Sequence, residues 1–379
     1  MPANIVLTDL TEQTFHGAIS PLIATRSDMR DGTRDGAFGA LFIENWDSQP
    51  DWNSGLPEND LEWPPEGEPD REQRVSQGHI LPNNWTSSRQ NPSFSPVQGY
   101  PDNHHAITIG ASEHARSGTK CWLGIRESLD PSSYWSSECA LFKYFPTGYD
   151  ELYVEFYIKF LPGWTDAPGV NTKIFRIGSW SGSGSEYQAF SGGELGPVIV
   201  WNWTQSTYGL RNQVGFRGGP HGDNYNITSS DIPGLPRALV GAGDLSLNWT
   251  TNQQGQGVGG SDPQIPDLVN GGYLLDDPTQ IVSHAQVFGN DYNKLAFYVK
   301  MNTSPGANDG IFIQWFNDIQ LLYNNQAAWC FDSLAKWNYV EIGGNTYFKE
   351  YPTSDARQER YAIDDIMVRS EIPEGLSYG

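Results

Sequence analysis

The chain has few cysteines, so covalent cross-links cannot hold it together. Its 379 residues include 3 cysteines, Cys121, Cys139 and Cys330, a number that is odd and too small for a disulfide framework, although one pair could still form. No Cys-x-x-Cys pair occurs, which disfavours a thiolate zinc site. We therefore expect the fold to rest on a buried core.

Segments that would direct the chain to a membrane or anchor it there are also missing. The N-terminal stretch MPANIVLTDLTEQTFHG has no basic region followed by an apolar core, so no secretory signal is visible. No apolar run approaches the ~18 residues that a membrane span needs. The sequence therefore predicts no membrane insertion. It implies that the protein leaves its cell either with a signal that is later removed or by another route, such as lysis.

Basic residues are scarce relative to acidic ones. The chain has 23 lysines and arginines against 45 aspartates and glutamates, a net charge of −22. A surface this acidic repels phosphate backbones and anionic membranes, so we expect no nucleic-acid partner. Such a charge serves solubility in a salty medium, or binds divalent cations where particular carboxylates converge.

Long Ala/Leu/Glu/Lys tracts are absent, whereas rings and turn formers are plentiful. Aromatic residues make up 13% of the chain, and there are 41 glycines and 25 prolines. This composition disfavours a helical bundle or a coiled coil and favours a globular, loop-rich protein whose apolar content lies in its aromatic side chains.

Strict alternation of apolar and other residues marks two strands, residues 153–160 (YVEFYIKF) and 294–302 (KLAFYVKMN). The side chains predicted to face the core are Val154, Phe156, Ile158, Phe160, Leu295, Phe297, Val299 and Met301. Those predicted to face solvent are Tyr153, Glu155, Tyr157, Lys159, Lys294, Ala296, Tyr298, Lys300 and Asn302. Further β-rich segments at 311–317, 337–342 and 361–368, with few amphipathic helices, predict an antiparallel sandwich.

The composition along the chain predicts one main domain with additions. Residues 1–36 contain alternating charges and read either as an N-terminal arm or linker or as an extra edge strand. Residues 37–372 carry the strands, interrupted by a loop-rich insertion at about 179–290, and 373–379 form a C-terminal tail. Loops as long as those within 218–290 are usually functional or flexible in a compact domain.

The order of these segments resembles the concanavalin A-like lectin/glucanase superfamily, in its jelly-roll polysaccharide-lyase-like branch. The motifs that carry the resemblance are FIENWD (42–47), ARSGTKCWLGIRE (115–127), DELYVEFYIKF (150–160), NTKIFRIG (171–178), the hairpin at 295–318, WNYVEI (337–342) and YAIDDIMV (361–368). The resemblance covers roughly residues 37–372 and implies an all-β, concanavalin A-like jelly-roll β-sandwich with long loops.

The resemblance also implies a structural calcium ion that links the opening and final strands on the convex side of the sandwich. The matching positions are Glu44 and Asp364 or Asp365, with backbone carbonyls near residues 117–118. Calcium prefers several hard oxygen ligands, which these groups supply. The alternative is that these carboxylates cap turns or face water.

A polysaccharide or cell-surface glycan is the partner that the polar sheet face suggests, because rings stack on sugars and cations pair with uronate or sulfate groups. The predicted carbohydrate-binding residues are Tyr153, Glu155, Tyr157, Tyr298, Lys300 and Asn302. If the protein is a lyase, the predicted catalytic residues are Tyr157, Lys159, Tyr298, Lys300 and Arg176. Lys173 and Arg176 would flank this face, although strict alternation places them on opposite sides of their strand; His221 and His284 lie in the insertion.

The enzyme signatures of the superfamily are missing. No Glu-x-Asp-x-Glu pattern occurs, as glucanases carry, and of three alginate-lyase strand motifs only YFKEY (347–351) has a partial counterpart, without its glycine. The leading expectation is therefore a non-catalytic carbohydrate-recognising or structural protein of an extracellular assembly, most simply a phage virion component that docks through residues 1–36. The alternatives are a polysaccharide lyase that cleaves uronate-containing glycans by β-elimination and a secreted glycan-binding protein. Either way we expect an extracellular or virion-surface location.

Overall fold

A computed structural model describes most of the strand-forming part of the chain. The described residues are 39–53, 81–90, 107–127, 135–164, 171–180, 197–206, 209–217, 244–247, 284–307, 309–327, 329–330, 333–347 and 358–376. The predicted arm at 1–36, His221 and most of the predicted insertion lie outside them. No helix among the described residues is long and apolar enough to cross a membrane.

The described residues form sixteen strands and one short helix. The strands are β1 Ala40–Glu44, β2 Trp52–Asn53, β3 Ser87–Gln90, β4 Ile107–Ala111, β5 Lys120–Glu127, β6 Trp135–Tyr149, β7 Glu151–Phe160, β8 Asn171–Gly178, β9 Val198–Ser206, β10 Gly209–Arg217, β11 Asp244–Leu247, β12 Asn293–Lys300, β13 Gly310–Phe316, β14 Ile319–Ala327, β15 Trp337–Tyr347 and β16 Gln358–Arg369, and helix α1 is His284–Phe288. Every strand segment predicted above is present. The sequence did not predict the strands β2, β3, β4, β11 and β14 or most of the long strand β6.

The strands form two antiparallel sheets. The nine-stranded sheet has the order β14-β13-β12-β7-β16-β5-β4-β2, with β1 pairing with β16. The seven-stranded sheet has the order β11-β10-β9-β8-β15-β6-β3. Neighbours that are distant in sequence, such as β7 and β16, give the crossed connections of a jelly roll. The prediction of a concanavalin A-like jelly-roll β-sandwich is confirmed.

Aromatic side chains between the two sheets form the core. The residues predicted to face inward from β7 and β12 all belong to it. Phe175 of the seven-stranded sheet bridges the layers, with its ring centroid 5.0 Å from that of Phe156 and 4.7 Å from that of Phe297. Because apolar area removed from water stabilises a fold roughly in proportion to its extent, these rings are the main source of cohesion.

The three cysteines are free thiols within the buried part of the protein, in agreement with the expectation that disulfides do not support the fold. Burial raises the pKa of Cys121 to about 11 and that of Cys330 to about 12. Both side chains therefore remain protonated near neutral pH and act as small apolar groups in the core.

The outer face of the nine-stranded sheet is covered, which contradicts the prediction that its side chains face water. Tyr153 is fully buried within a cluster that includes Ile313 and Trp315. Ile372 and Leu376, which follow β16, pack against this cluster. The chain after the last strand therefore shields part of this face, which alternation within a strand cannot reveal.

Candidate functional site

The nine-stranded sheet brings together most of the residues predicted to bind or cleave a glycan. Strands β7 and β12 are neighbours, as the predicted site required. Their register places Tyr298 opposite Tyr153 and Lys294 opposite Tyr157. Because paired residues in an antiparallel ladder point to the same side, these side chains share one face.

Carboxylates already neutralise the cations on this face. The Lys294 Nζ atom lies 2.8 Å from Glu155 Oε2 and 3.0 Å from Asp318 Oδ1. The Lys300 Nζ atom lies 3.4 Å from Glu151 Oε2, and the Tyr298 hydroxyl donates a hydrogen bond to the same carboxylate. A face with this balance of charges offers little net attraction to a polyanionic polymer.

The tyrosines of this face are poorly suited to remove protons. Burial, together with the neighbouring Glu155 carboxylate, raises the pKa of Tyr153 well above its ordinary value. Its hydroxyl donates to Glu155 at 2.5 Å. Burial also raises the pKa of Tyr157, although the charges of Lys294 and Arg116 act in the opposite direction. Both phenols therefore keep their protons near neutral pH.

The remaining predicted residues are dispersed. Lys159 lies near the Tyr292 ring, with its Nζ atom 5.8 Å from the ring centroid. The Asn302 side chain bonds to backbone groups of Ser304, Trp329 and Cys330, so its amide supports the turn after β12. Arg176 belongs to β8 in the other sheet.

A pocket of about 410 Å³ remains on the outer face of the nine-stranded sheet, between β7, β12, β16 and the chain after β16. Its lining includes Glu155, Glu371 and Glu374 together with Lys294 and Arg369. Carboxylates outnumber cations there, so the pocket does not favour a uronate ligand.

The outer face of the seven-stranded sheet carries a second set of polar side chains. Its strand registers pair Ser87 with Phe142, Phe142 with Glu341, Glu341 with Arg176, and Arg176 with Val200. These residues therefore form one row across five strands, on the side of the sheet that faces away from the core.

A buried ion pair lies at the centre of this row. The Arg176 guanidinium contacts the Glu341 carboxylate, with 2% and 0% of the two side chains exposed. The Tyr339 hydroxyl donates to the other oxygen of Glu341 at 2.5 Å. Two charges and a phenol that are withdrawn from water cost free energy to bury, and mutual hydrogen bonds offset that cost.

A β-bulge adds Lys173 to the same face. Lys173 pairs with Asn202 and Phe175 with Trp201, so an extra residue is inserted into β8 between the two pairs. The bulge places Lys173 on the outer face with Arg176, and the prediction that these two side chains lie on opposite sides of the strand is wrong. Bulges commonly re-aim a side chain next to an active site.

Glycine in the neighbouring strand allows this bulge. The pairing of β15 with β8 also shifts between Ile342 and Thr346. A Cβ atom at Gly344 would lie 2.8 Å from the Lys173 carbonyl oxygen and 3.1 Å from its Cβ atom. Only a residue without a side chain lets β15 approach the bulge so closely. Lys173 and Asn202 are both buried, at 4% and 0% exposure.

The sequence prediction did not include Asn202, Tyr339 and Glu341 as site residues, and it named Lys173 only as a flanking residue of the other sheet face, for two different reasons. Alternation within WNYVEI places Tyr339 and Glu341 on one face, so a signal for that pair was present. The bulge beside Lys173 depends on a glycine in another strand and could not be read from the local pattern.

Glu44, one of the predicted calcium ligands, is surrounded by hydrogen-bond donors. Its carboxylate accepts bonds from the Trp46 backbone N–H at 2.8 Å, the Gln49 side-chain amide at 2.5 Å and the Trp85 indole at 3.1 Å. Burial raises the pKa of this carboxyl, and the hydrogen bonds oppose that effect.

Asp364 and Asp365 are also occupied by donors. Asp364 Oδ2 accepts the backbone N–H groups of Arg116 and Ser117 at 2.8 and 3.3 Å. Asp365 contacts the Arg116 guanidinium and accepts the Ser117 hydroxyl at 2.6 Å. No group of three or more His, Cys, Asp or Glu residues in the described part of the chain converges to hold a metal ion. This donor set does not fit calcium, and calcium binding stays a prediction of the sequence.

We expect Asp364 to make stability depend on pH. Burial and the Asp365 charge raise the pKa of Asp364 from 3.8 to about 7, so the native state holds a proton that the unfolded state releases above pH 4. The contribution of this proton to the free energy of unfolding is complete below about pH 4 and is lost as the pH rises through 7. For this shift in the pKa of Asp364, the free energy of unfolding changes by about 4 kcal/mol.

The measurement is urea unfolding at several pH values, in buffer without calcium, of the wild type and Asp364→Asn. In the variant, the free energy of unfolding should depend much less on pH between pH 4 and 7, whatever its absolute value. An unchanged slope would show that Asp364 is ionised in the native protein at neutral pH.

Comparisons with known proteins find similarity in structure but not in sequence. No protein-family profile and no curated protein sequence matches the chain. One similar structure is an alginate lyase bound to alginate tetrasaccharide, at 10% identity and a TM-score of 0.43, covering 89% of this chain and 100% of that one. Another is an endo-β-1,4-glucuronan lyase from the fungus Trichoderma reesei, at 12% identity and a TM-score of 0.43, covering 76% and 92%. A third is an alginate lyase from a Chlorella virus, at 11% identity and a TM-score of 0.39, covering 79% and 96%.

These comparisons correct the leading functional prediction. The similar structures named above are polysaccharide lyases, whereas we expected a non-catalytic recognition or structural protein of an extracellular assembly such as a phage virion. They favour the alternative that the sequence left open, a lyase. At such low identity the likeness concerns the fold, so the chemistry has to be argued from the residues of this chain.

Proposed function

We propose that the protein is a lyase that cleaves uronate-containing polysaccharides outside the cell by β-elimination. The observation that carries the proposal is the convergence of Lys173, Asn202 and the Arg176–Glu341 pair on the outer face of the seven-stranded sheet. The described side chains at this place include two cations, Lys173 and Arg176, and one carboxylate, Glu341. Cationic side chains on one face of a chain with a net charge of −22 suit an anionic polymer.

The uronate carboxylate must be held and partly neutralised before the adjacent carbon can lose its proton. In our proposal the Asn202 amide and the Arg176 guanidinium supply this stabilisation. Glu341 holds the guanidinium in place through their contact, and the Tyr339 hydroxyl fixes Glu341 in turn. The binding groups are therefore pre-oriented by partners that are themselves buried.

Lys173 is the group that we assign to proton transfer. The neutral amine of Lys173 takes the proton from C5 of the uronate, and the electron pair forms a C4–C5 double bond as the C4–O4 bond breaks. The leaving oxygen takes a proton, which the resulting ammonium can return when the C5 hydrogen and O4 lie on the same side of the ring. One lysine can thus perform both transfers, and the products are an unsaturated uronate end and a new free end.

A panel of polymers tests this function. We expect purified protein to produce the ultraviolet absorbance of an unsaturated uronate with at least one polymer among alginates, glucuronans and pectates. The same polymer with its carboxyl groups reduced to alcohols should give no signal, because the C5 proton is then not acidic. Cleavage of the reduced polymer, or no absorbance with any uronate polymer, would reject the proposal.

A further inference from the structure

We propose that Trp180 and Ser87 form a sugar-binding subsite on the same sheet face as the Arg176–Glu341 pair, which takes a uronate residue a few rings away from the cleaved bond. This inference rests on the proposed lyase function and adds a specificity-determining position to it. Two buried polar groups next to one aromatic cluster, without partners among the residues that the structure describes, support the proposal.

Trp180 is held rigidly at the end of β8. Its backbone N–H donates to the Asn338 side-chain oxygen at 2.8 Å, and its carbonyl accepts the Asn338 amide at 2.8 Å. The centroid of its ring lies 4.8 Å from that of the Tyr144 ring, in an edge-to-face arrangement. Trp180 also packs in a cluster with Phe142 and Tyr339 on the outer face of the seven-stranded sheet.

Two hydrogen-bonding groups beside this cluster lack partners. The Trp180 side chain is 5% exposed, and its indole N–H has no acceptor among the residues that the structure describes. Ser87 is 0% exposed, and its hydroxyl is also without a partner in the described part of the chain. Ser87 is paired with Phe142, which belongs to the Trp180 cluster, so both groups adjoin the same aromatic cluster.

Unmade hydrogen bonds of this kind cost free energy in a native protein, so two on the same sheet face favour a ligand that satisfies both. An acceptor-rich ring with one apolar face fits, because the Trp180 and Tyr144 rings offer apolar surface and the two donors offer hydrogen bonds. A pyranose with hydroxyl and carboxylate oxygens has this chemistry.

The subsite is suitably placed for a polymer. Ser87 and Arg176 lie in the same row, on strands separated by β6 and β15. Three strand spacings correspond to about 14 Å, a length that a short oligosaccharide spans. A polymer whose carboxylate is held by Arg176 can therefore place a ring that lies a few units further along the chain against Trp180 and Ser87.

Two conservative variants test the subsite. Trp180→Phe keeps an aromatic ring and removes the N–H, and Ser87→Ala removes the hydroxyl. We expect each to raise KM for uronate oligosaccharides about fivefold to tenfold, as the loss of one hydrogen bond predicts, with little change in kcat. The matched control is Trp122→Phe, because the Trp122 indole N–H is also buried with no acceptor in the described part of the chain but lies in the core between the sheets.

A binding measurement separates failure of the subsite from failure of the proposed function. Calorimetric titration of oligoglucuronate and oligomannuronate into Lys173→Met, with and without Trp180→Phe, reports affinity without cleavage. Weaker binding by the double variant supports the subsite. Equal KM values for the wild type, Trp180→Phe and Ser87→Ala, with equal affinities in the titration, would overturn it. If the wild type does not cleave any uronate polymer, the proposed lyase function is rejected instead.

Discussion

Replacing Lys173 by methionine should lower kcat for β-elimination by about 10³-fold while the protein stays folded. Methionine keeps a long, flexible apolar chain but cannot accept or return a proton, and general acid–base groups contribute effects of this size. Lys173 reaches the outer face only through the bulge in β8, so its place beside Asn202 is the geometric basis of the expectation. Initial rates of unsaturated-product formation at saturating polymer measure the effect.

The matched control is Lys336→Met. The Lys336 side chain is 51% exposed and pairs with Asp150 at the surface, so its removal should leave kcat within about twofold of the wild type. A third variant, Lys300→Met, tests the site that the sequence predicted. Loss of activity in Lys300→Met with full activity in Lys173→Met would place the chemistry on the nine-stranded sheet and contradict our assignment.

Glu341→Gln should destabilise the protein by about 3–5 kcal/mol, because it removes the carboxylate charge that contacts the buried Arg176 guanidinium. Both side chains are almost fully withdrawn from solvent, so water cannot replace the lost partner. Glutamine has nearly the same shape and still accepts the Tyr339 hydroxyl, which separates the loss of charge from a loss of packing. The measurement is the free energy of unfolding in urea.

The double variant Arg176→Met/Glu341→Gln supplies the control for this effect. Removing both charges should restore much of the lost stability, since the penalty comes from the unpaired charge and not from the absence of the bridge. The double variant should nevertheless have little lyase activity, because the cation that we assign to the uronate carboxylate is missing. Equal stability of the wild type and Glu341→Gln would show that the pair is hydrated in solution.

The fold could be predicted from the sequence largely because its main strands alternate strictly. In β7 and β12 the apolar residues face the core as predicted, and the two strands are neighbours. Alternation within one strand is enough to predict that two of its side chains, such as Tyr153 and Tyr157, lie on the same side.

The candidate site was less predictable because its geometry depends on contacts between distant segments. Alternation placed Lys173 and Arg176 on opposite sides, and a bulge next to Gly344 reverses this. Solvent exposure of Tyr153 was also predicted wrongly, since Ile372 and Leu376 come from the far end of the chain. Residue types suited to binding a glycan therefore occur on both sheets. Only strand register and burial distinguish the two faces as candidate sites.

The two sheet faces differ in what their charges can do. On the nine-stranded sheet, Lys294 and Lys300 are matched by carboxylates, so the face is held together by its own ion pairs. On the seven-stranded sheet one carboxylate is shared by a guanidinium and a phenol, and Lys173 adds a further cation. We therefore propose that the second arrangement binds the uronate.

The mass of the products released from a uronate polymer by the wild type and by Lys173→Met tests β-elimination by this face most directly. We expect wild-type oligosaccharides that are each lighter by one water than hydrolysis products and carry an unsaturated end, with almost none from Lys173→Met. Products of hydrolytic mass, or equal unsaturated products from both proteins, would contradict β-elimination by the outer face of the seven-stranded sheet.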